Sequence, residues 1–170
     1  MNLSQFDFEL PETLIAQHPP ERRDGARMLV VHRDAHRWDD RRFDELPHFL
    51  RPGDCLVLND SKVFPSRLFG EKTGVKVEVF LLRRTSSDDS EWEALVRPGR
   101  RIGIGDVVQF GEGLEAEILA RGDFGHRTVR FRGAGPIEEL LERLGHVPLP
   151  PYIKRSDEPA DRERYQTVFA

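Results

Sequence analysis

The chain has 170 residues, 38% hydrophobic and 33% charged, with 14 Gly and 12 Pro, which excludes a disordered polymer and describes a loop-rich fold with one good core or two small lobes. Its net charge of −4 excludes a protein that coats nucleic acid through a uniformly positive surface, leaving only local basic clusters: Arg83-Arg84, Arg97 with Arg100-Arg101, Arg127 with Arg130 and Arg132, and Lys154-Arg155. Each cluster alone reads as a solvated face.

The first residues, Met1-Asn2-Leu3-Ser4-Gln5, lack the basic and apolar regions of a secretory signal. The longest wholly apolar stretches, such as 28–31 and 79–82, are far shorter than the roughly 20 residues of a membrane span, so a cytoplasmic protein without membrane contact is expected. From Arg27 to Val31 an apolar run is broken by Arg33-Asp34-Ala35-His36 and followed by Trp38 and Phe43, which predicts two strands around a polar turn. A short helix is expected next, capped by Asp44, favoured by Glu45 and stopped at Arg51-Pro52-Gly53-Asp54. Cys55-Leu56-Val57-Leu58 lacks polar alternation and reads as a buried strand with Cys55 as a structural thiol.

Beyond Pro65 short strands alternate with glycine turns: 67–69, 75–82, 91–97, 107–110, 114–119 and 127–131. That spacing predicts a small barrel. The period of two places Val75, Val77, Val79 and Leu81 on one face and sets Arg130 and Arg132 opposite Val129 and Phe131. Ser86 to Ser90 reads as a mobile hairpin loop. A helix should follow Pro136, with Ile137, Leu140, Leu141 and Leu144 on one face and Gly145 as its stop, covering the barrel. Prolines 148, 150 and 151 then make 147–153 a connector. The predicted fold class is α+β, mainly β: a small antiparallel β-barrel at 66–146 inserted into a domain formed by 1–65 and 147–170.

With one cysteine and six scattered histidines, no metal is expected. Gly103-Ile104-Gly105 is a strand bend rather than a phosphate cradle, and Glu91 and Glu93 belong to a solvated strand rather than an acid–base pair. The stretch Asn59-Asp60-Ser61-Lys62-Val63-Phe64-Pro65-Ser66-Arg67 carries more. It gathers an amide, a carboxylate, a hydroxyl and two cations just past a predicted strand, where α/β proteins hold ligands, although a capped turn explains the same residues equally well. In the closing stretch Tyr152 and Tyr165 offer stacking faces, Lys154 and Arg155 phosphate contacts, and Gln166 with Thr167 polar readers. The alternative there is an interdomain strap.

Six blocks in order resemble the S-adenosylmethionine:tRNA ribosyltransferase-isomerase family of queuosine biosynthesis: "FDFELPETLIAQHP" (6–19), "LPHFLRPGDCLVLNDSKVFPSRLFG" (46–70), "KVEVFLL" (76–82), "EWEALVRPGRRI" (91–102), "GHVPLPPYIKR" (145–155) and "DRERYQTVFA" (161–170). The resemblance implies an α/β barrel-like catalytic domain interrupted by the β-barrel. It also implies transfer and isomerisation of the ribosyl part of S-adenosylmethionine onto 7-aminomethyl-7-deazaguanine at the tRNA wobble position. Expected partners are tRNA, through its anticodon arm, and S-adenosylmethionine as substrate, with no permanently bound cofactor and a monomeric state. Mapped onto this sequence, Asp60 and Lys62 are the catalytic candidates; Asn59, Ser61, Arg67, Tyr152, Lys154, Arg155, Tyr165, Gln166 and Thr167 are expected to bind substrate or tRNA. The competing class is a non-catalytic RNA-binding β-barrel module of the translation apparatus.

The sequence departs from the family at Asp24-Gly25-Ala26-Arg27, where a Ser-Arg pair is usual, and mildly at Ser61, Ser66 and Phe169. Members of the family run about as long again, so the chain reads as an N-terminal half, expected to turn over little or nothing by itself.

Overall fold

The structure, a computed structural model, describes residues 2–170. Eight strands appear in chain order: β1 (Arg27–His32), β2 (Arg37–Arg42), β3 (Arg67–Lys72), β4 (Val75–Arg84), β5 (Glu91–Arg97), β6 (Val107–Gly111), β7 (Leu114–Arg121) and β8 (His126–Arg132). Two helices follow, α1 (Ile137–Leu144) and α2 (Asp161–Arg164). The fold is mainly β with few helices. Two compact units form, one of residues up to Asn59 with Pro150–Ser156, the other of Asp60–Leu149 with Asp157–Ala170.

The second unit is a closed antiparallel barrel of order β3-β4-β5-β8-β7-β6. Closure falls where Glu71 of β3 faces Gln109 of β6, and Gly70 is required there because a Cβ would lie 2.5 Å from the Gln109 carbonyl oxygen. Alternation sorts the side chains as a pleated strand must. Along β4, Val77, Val79 and Leu81 are buried between solvent-facing neighbours, and along β8 Val129 and Phe131 are buried while Arg130 and Arg132 turn outward.

The outer arginines pair with carboxylates on adjacent strands: Arg130 with Glu91 and Arg83 with Glu93 in register, and Arg132 diagonally with Glu117. Glu91 and Glu93 are thus spent on cross-strand ion pairs. Helix α1 lays Leu140 and Leu141 into the barrel core. Gly145 stops it as expected, though not through a left-handed backbone. Gly145 has φ −72°, and it is glycine because a Cβ would sit 2.1 Å from the Pro65 carbonyl oxygen.

The loop at Ser86–Ser90, expected to be mobile, is knit by hydrogen bonds. The Ser90 amide and hydroxyl both donate to Asp88 Oδ1, and the Glu91 amide donates to Ser86 Oγ. These hydroxyls, Ser86 first, hold the Asp88 carboxyl down at about 2.

The first unit pairs β1 with β2, Val31 facing Trp38, and otherwise consists of short 3₁₀ turns. The expected helix after β2 is a 3₁₀ run, Phe43–Phe49, with Pro47 inside it. Proline has no N–H to give an α-helical bond. Asp44 does not cap it; the Arg42 amide donates to Glu45 Oε1, and Asp44 pairs with Arg42.

The predicted buried strand at Cys55–Leu58 is also corrected. It pairs with no strand among the described residues, Cys55 is exposed, and Val57 is 87% exposed. A wholly apolar strand is stable only when both faces are covered. One two-stranded ribbon is marginal by itself, and none of the described residues of this unit belongs to the buried hydrophobic core.

Candidate functional site

The two halves of the predicted site fall in different units. In the barrel unit, the chain entering β3 is fixed by contacts distant in sequence. Gln166, just past α2, donates from Nε2 to the Val63 carbonyl at 2.8 Å and accepts the Val63 amide on Oε1 at 2.7 Å. A side-chain amide here replaces a strand neighbour, satisfying both backbone groups of one residue.

One residue earlier, Lys62 Nζ meets Glu142 Oε1 of α1 at 2.8 Å. The Glu142 carboxylate raises the Lys62 ammonium above its ordinary value, and Lys62 in turn lowers Glu142. Lys62 is therefore a cation at neutral pH, suited to an anion and not to accepting a proton.

Helix α1 is itself held by Arg162, whose guanidinium donates to the carbonyls of Glu142, Arg143 and Gly145 at the helix C-terminal end. A cation at that pole is favoured by the helix dipole.

Asp60 and Ser61 lie exposed just before this anchored stretch. Asp60 makes no hydrogen bond or ion pair among the described residues. Downstream, Arg67 donates to Glu78 at 2.9 Å and lies over the Phe69 ring at 5.3 Å, while its backbone bridges to His146. His146 Nδ1 is 2.9 Å from Asp157 Oδ1.

Val63, Phe64, Ser66, Arg84, Trp92 and Leu141 are among the residues lining a cavity of about 410 Å³. Its wall is aromatic: Phe64 stacks on Trp92 with centroids 5.6 Å apart, and Arg84 covers the Trp92 ring at 5.7 Å. Tyr165 closes the last turn of α2, and the Thr167 hydroxyl is buried with no hydrogen-bond partner among the described residues.

The other half is built in the first unit around Gln17. Its Nε2 donates to the carbonyls of Ile15 and Tyr152, both at 3.2 Å, and its Oε1 accepts the Lys154 amide at 2.6 Å. Arg155 Nε donates to the Gln17 carbonyl at 2.9 Å. The result is a cavity of about 430 Å³ whose walls include Glu12, Gln17, His18, Tyr152, Lys154 and Arg155. Tyr152 is 54% exposed, an aromatic face beside two cations. Asn59, the last residue of this unit's first segment, is exposed.

Gln17, Glu142, Asp157 and Arg162 were absent from the sequence-derived set. Gln17 lies within the block 6–19 and carried a visible signal; the others are ordinary charged residues whose partners only folding supplies. No group of three or more His, Cys, Asp or Glu among the described residues is arranged to hold a metal ion.

A family model described as "Queuosine biosynthesis protein" matches residues 3–170. An S-adenosylmethionine:tRNA ribosyltransferase-isomerase of Solibacter usitatus is 60% identical over 100% of this chain and 53% of that protein. Its counterpart in Desulforamulus reducens is 49% identical over 100% of this chain and 50% of that protein. A crystal structure of an S-adenosylmethionine tRNA ribosyltransferase from Thermotoga maritima is 40% identical, covering 83% of this chain and 48% of that one, with a TM-score of 0.41. The chain spans about half the length of the curated relatives it matches.

Proposed function

The chain belongs to the queuosine biosynthesis protein family, and from that premise we propose that it contributes to an S-adenosylmethionine:tRNA ribosyltransferase-isomerase. The reaction would move the ribosyl group of S-adenosylmethionine onto 7-aminomethyl-7-deazaguanine at the tRNA wobble position and isomerise it to the epoxycyclopentanediol of epoxyqueuosine, with adenine and methionine leaving. The observation that carries this reading is 60% identity along the entire chain to a relative bearing that activity in its name.

The chemistry needs a base, because the sulfonium acidifies the adjacent ribose C5′ protons, and it needs both partners held in line away from water. Asp60 is assigned the base or orienting role. It has a free carboxylate, and the chain just after it is anchored by Gln166 and by the Lys62–Glu142 pair. Lys62 and Arg67 supply positive charge for phosphate or the methionine carboxylate, as do Lys154 and Arg155 around Gln17. Tyr152 and Tyr165 are assigned to a purine or deazapurine ring.

Domain organisation follows the same reading: the first unit and the proline-led segment belong to the catalytic domain, completed at the full length of the relatives, and the barrel is its insertion. Turnover would then require that full length.

The test is adenine release by the full-length protein. It should appear only when S-adenosylmethionine and tRNA bearing the deazaguanine precursor are both present, and Asp60→Asn should abolish it at saturating substrates. A protein that bound tRNA and never released adenine would instead be an RNA-binding module. Full turnover by Asp60→Asn would remove Asp60 from the mechanism.

A further inference from the structure

One end of the barrel is formed by the loop between β5 and β6 and the turn between β7 and β8. The two touch at their glycines: a Cβ on Gly99 would lie at van der Waals distance, 3.5 Å, from the Gly125 Cα. Together they enclose a cavity of about 400 Å³ lined by Arg97, Arg100, Arg121, Phe124 and Arg127 among others.

Arg97, Arg100 and Arg121 are exposed, and none of their guanidinium groups has an ion-pair or hydrogen-bond partner among the described residues. Elsewhere on the barrel surface arginines pair with carboxylates on neighbouring strands; here Glu78, in register with Arg97, is engaged by Arg67 instead, and the cavity lining carries a single carboxylate, Asp123.

Arg127 forms the floor. It is 3% exposed, and its guanidinium donates to the carbonyls of His126, Gly99 and Ile102 at 2.7, 2.6 and 3.0 Å, while Nε is buried without a partner. Burial, and after it the nearby charge of Arg121, lowers its pKa. The site holds excess positive charge on a chain whose net charge is −4.

Phe124 is the odd residue. Residues 123–126 form a tight turn in which the His126 amide donates to the Asp123 carbonyl, with φ 51° at Phe124 and 90° at Gly125. Such a turn wants Asn, Asp or Gly at its first central position, because a side chain strains the left-handed backbone. Phenylalanine there is 99% exposed, so no packing compensates. A position that breaks a local rule without a gain in the fold is where function is to be sought.

We infer that this end of the barrel docks RNA, with Arg97, Arg100 and Arg121 on backbone phosphates and Phe124 stacked on an unpaired base. The identification of that RNA as tRNA rests on the function proposed above. Unpaired arginines release counterions when they meet phosphates, and an exposed aromatic ring offers a stacking face to any base that leaves its helix. A surface serving only to stay wet has no use for the ring.

The test is fluorescence anisotropy of an unmodified tRNA transcript with the 170-residue chain, titrated between 50 and 200 mM salt, with a fully paired RNA duplex as comparison. The triple variant Arg97→Gln/Arg100→Gln/Arg121→Gln should lower the slope of log Kd against log salt by about 2–3, at about 0.7–0.9 per phosphate contact. Arg132→Gln, which removes a paired arginine, should leave the slope unchanged. Phe124→Asn should weaken tRNA binding about 5- to 150-fold, spare duplex binding, and raise the midpoint of thermal unfolding, since asparagine suits the turn. An unchanged slope in the triple variant, tRNA affinity retained by Phe124→Asn, or no tRNA binding by the wild-type chain would each overturn the inference. The proposed enzyme function fails separately, through the absence of adenine release at full length.

Discussion

Replacing Gln166 with alanine removes two hydrogen bonds at once and leaves the Val63 N–H and C=O without their partner. A hydrogen bond of this kind contributes about 0.5–1.5 kcal/mol net, so the pair should cost about 1–3 kcal/mol of unfolding free energy. The upper half of that range is expected because both bonds are partly buried and short, at 2.7 and 2.8 Å.

Urea denaturation of wild type and variant measures the global loss, and hydrogen exchange at the Val63 amide measures the local one, which should quicken about 5- to 150-fold by the same free energy. Gln166→Glu separates the two bonds: it can still accept from the Val63 amide but cannot donate to the carbonyl, so amide protection should persist in part while stability falls. If the alanine variant unfolded at the wild-type urea concentration and Val63 exchanged no faster, the anchoring of the Asp60–Val63 stretch by Gln166 would be wrong.

Gly145→Ala should destabilise by at least about 1–3 kcal/mol, the cost of overpacking, because its Cβ meets two backbone oxygens, those of Pro65 and Leu141, at 2.1 and 2.5 Å. Gly74→Ala, with φ 78° and nothing within 4 Å of its Cβ, should lose only about 1–2 kcal/mol of conformational strain; equal thermal-unfolding penalties would show that the contact at Gly145 is not what selects glycine.

The Lys62–Glu142 pair sets a pH window. Glu142 titrates below its ordinary value, so its contribution is present above the carboxylate range of the unfolded chain and lost as pH falls through the depressed value. Lys62 titrates above its ordinary value, so its contribution is complete below the unfolded lysine range and lost as pH rises through the elevated one. Ammonium titration by NMR should show the Lys62 shift collapse in Glu142→Gln, and carboxyl titration should show the Glu142 shift collapse in Lys62→Met; survival of the Lys62 shift would assign it to another partner.

The barrel was legible because its signals are local. Val77, Val79 and Leu81 in β4 repeat every second residue, glycines mark the hairpins, and Ile137, Leu140, Leu141 and Leu144 repeat with a helical period; each pattern depends only on neighbours in the chain. Where local pattern and long-range cover parted company, reading from sequence went astray. Cys55–Leu58 has the composition of a buried strand, yet burial belongs to whatever lies on either side of it, and the described chain neither pairs it with a strand nor buries any of its residues. Phe43–Phe49 has helix-start residues, yet Pro47 withholds the amide that an α-helix would use.

The site divides along the same line. That 59–67 and 152–167 carry chemistry unusual for plain connectors could be read directly, since residue types and their order in a family block are properties of the chain. Which atoms they meet could not. Gln166 spends its amide on Val63, Lys62 faces Glu142 from 80 residues away, and Gln17 organises the backbone from Tyr152 to Arg155 across more than 130 residues. Likewise Arg121 stood apart from the Arg97–Arg101 cluster until two loops brought them to one end of the barrel.

The amino-acid sequence by itself determined the barrel strands, their inward faces, the covering helix and the family, because periodicity and motif order are written along the chain. Only the tertiary structure decided which charges are paired, which glycines are forced by contact and which aromatic ring stands alone in solvent, because those depend on distances between residues that the sequence holds far apart.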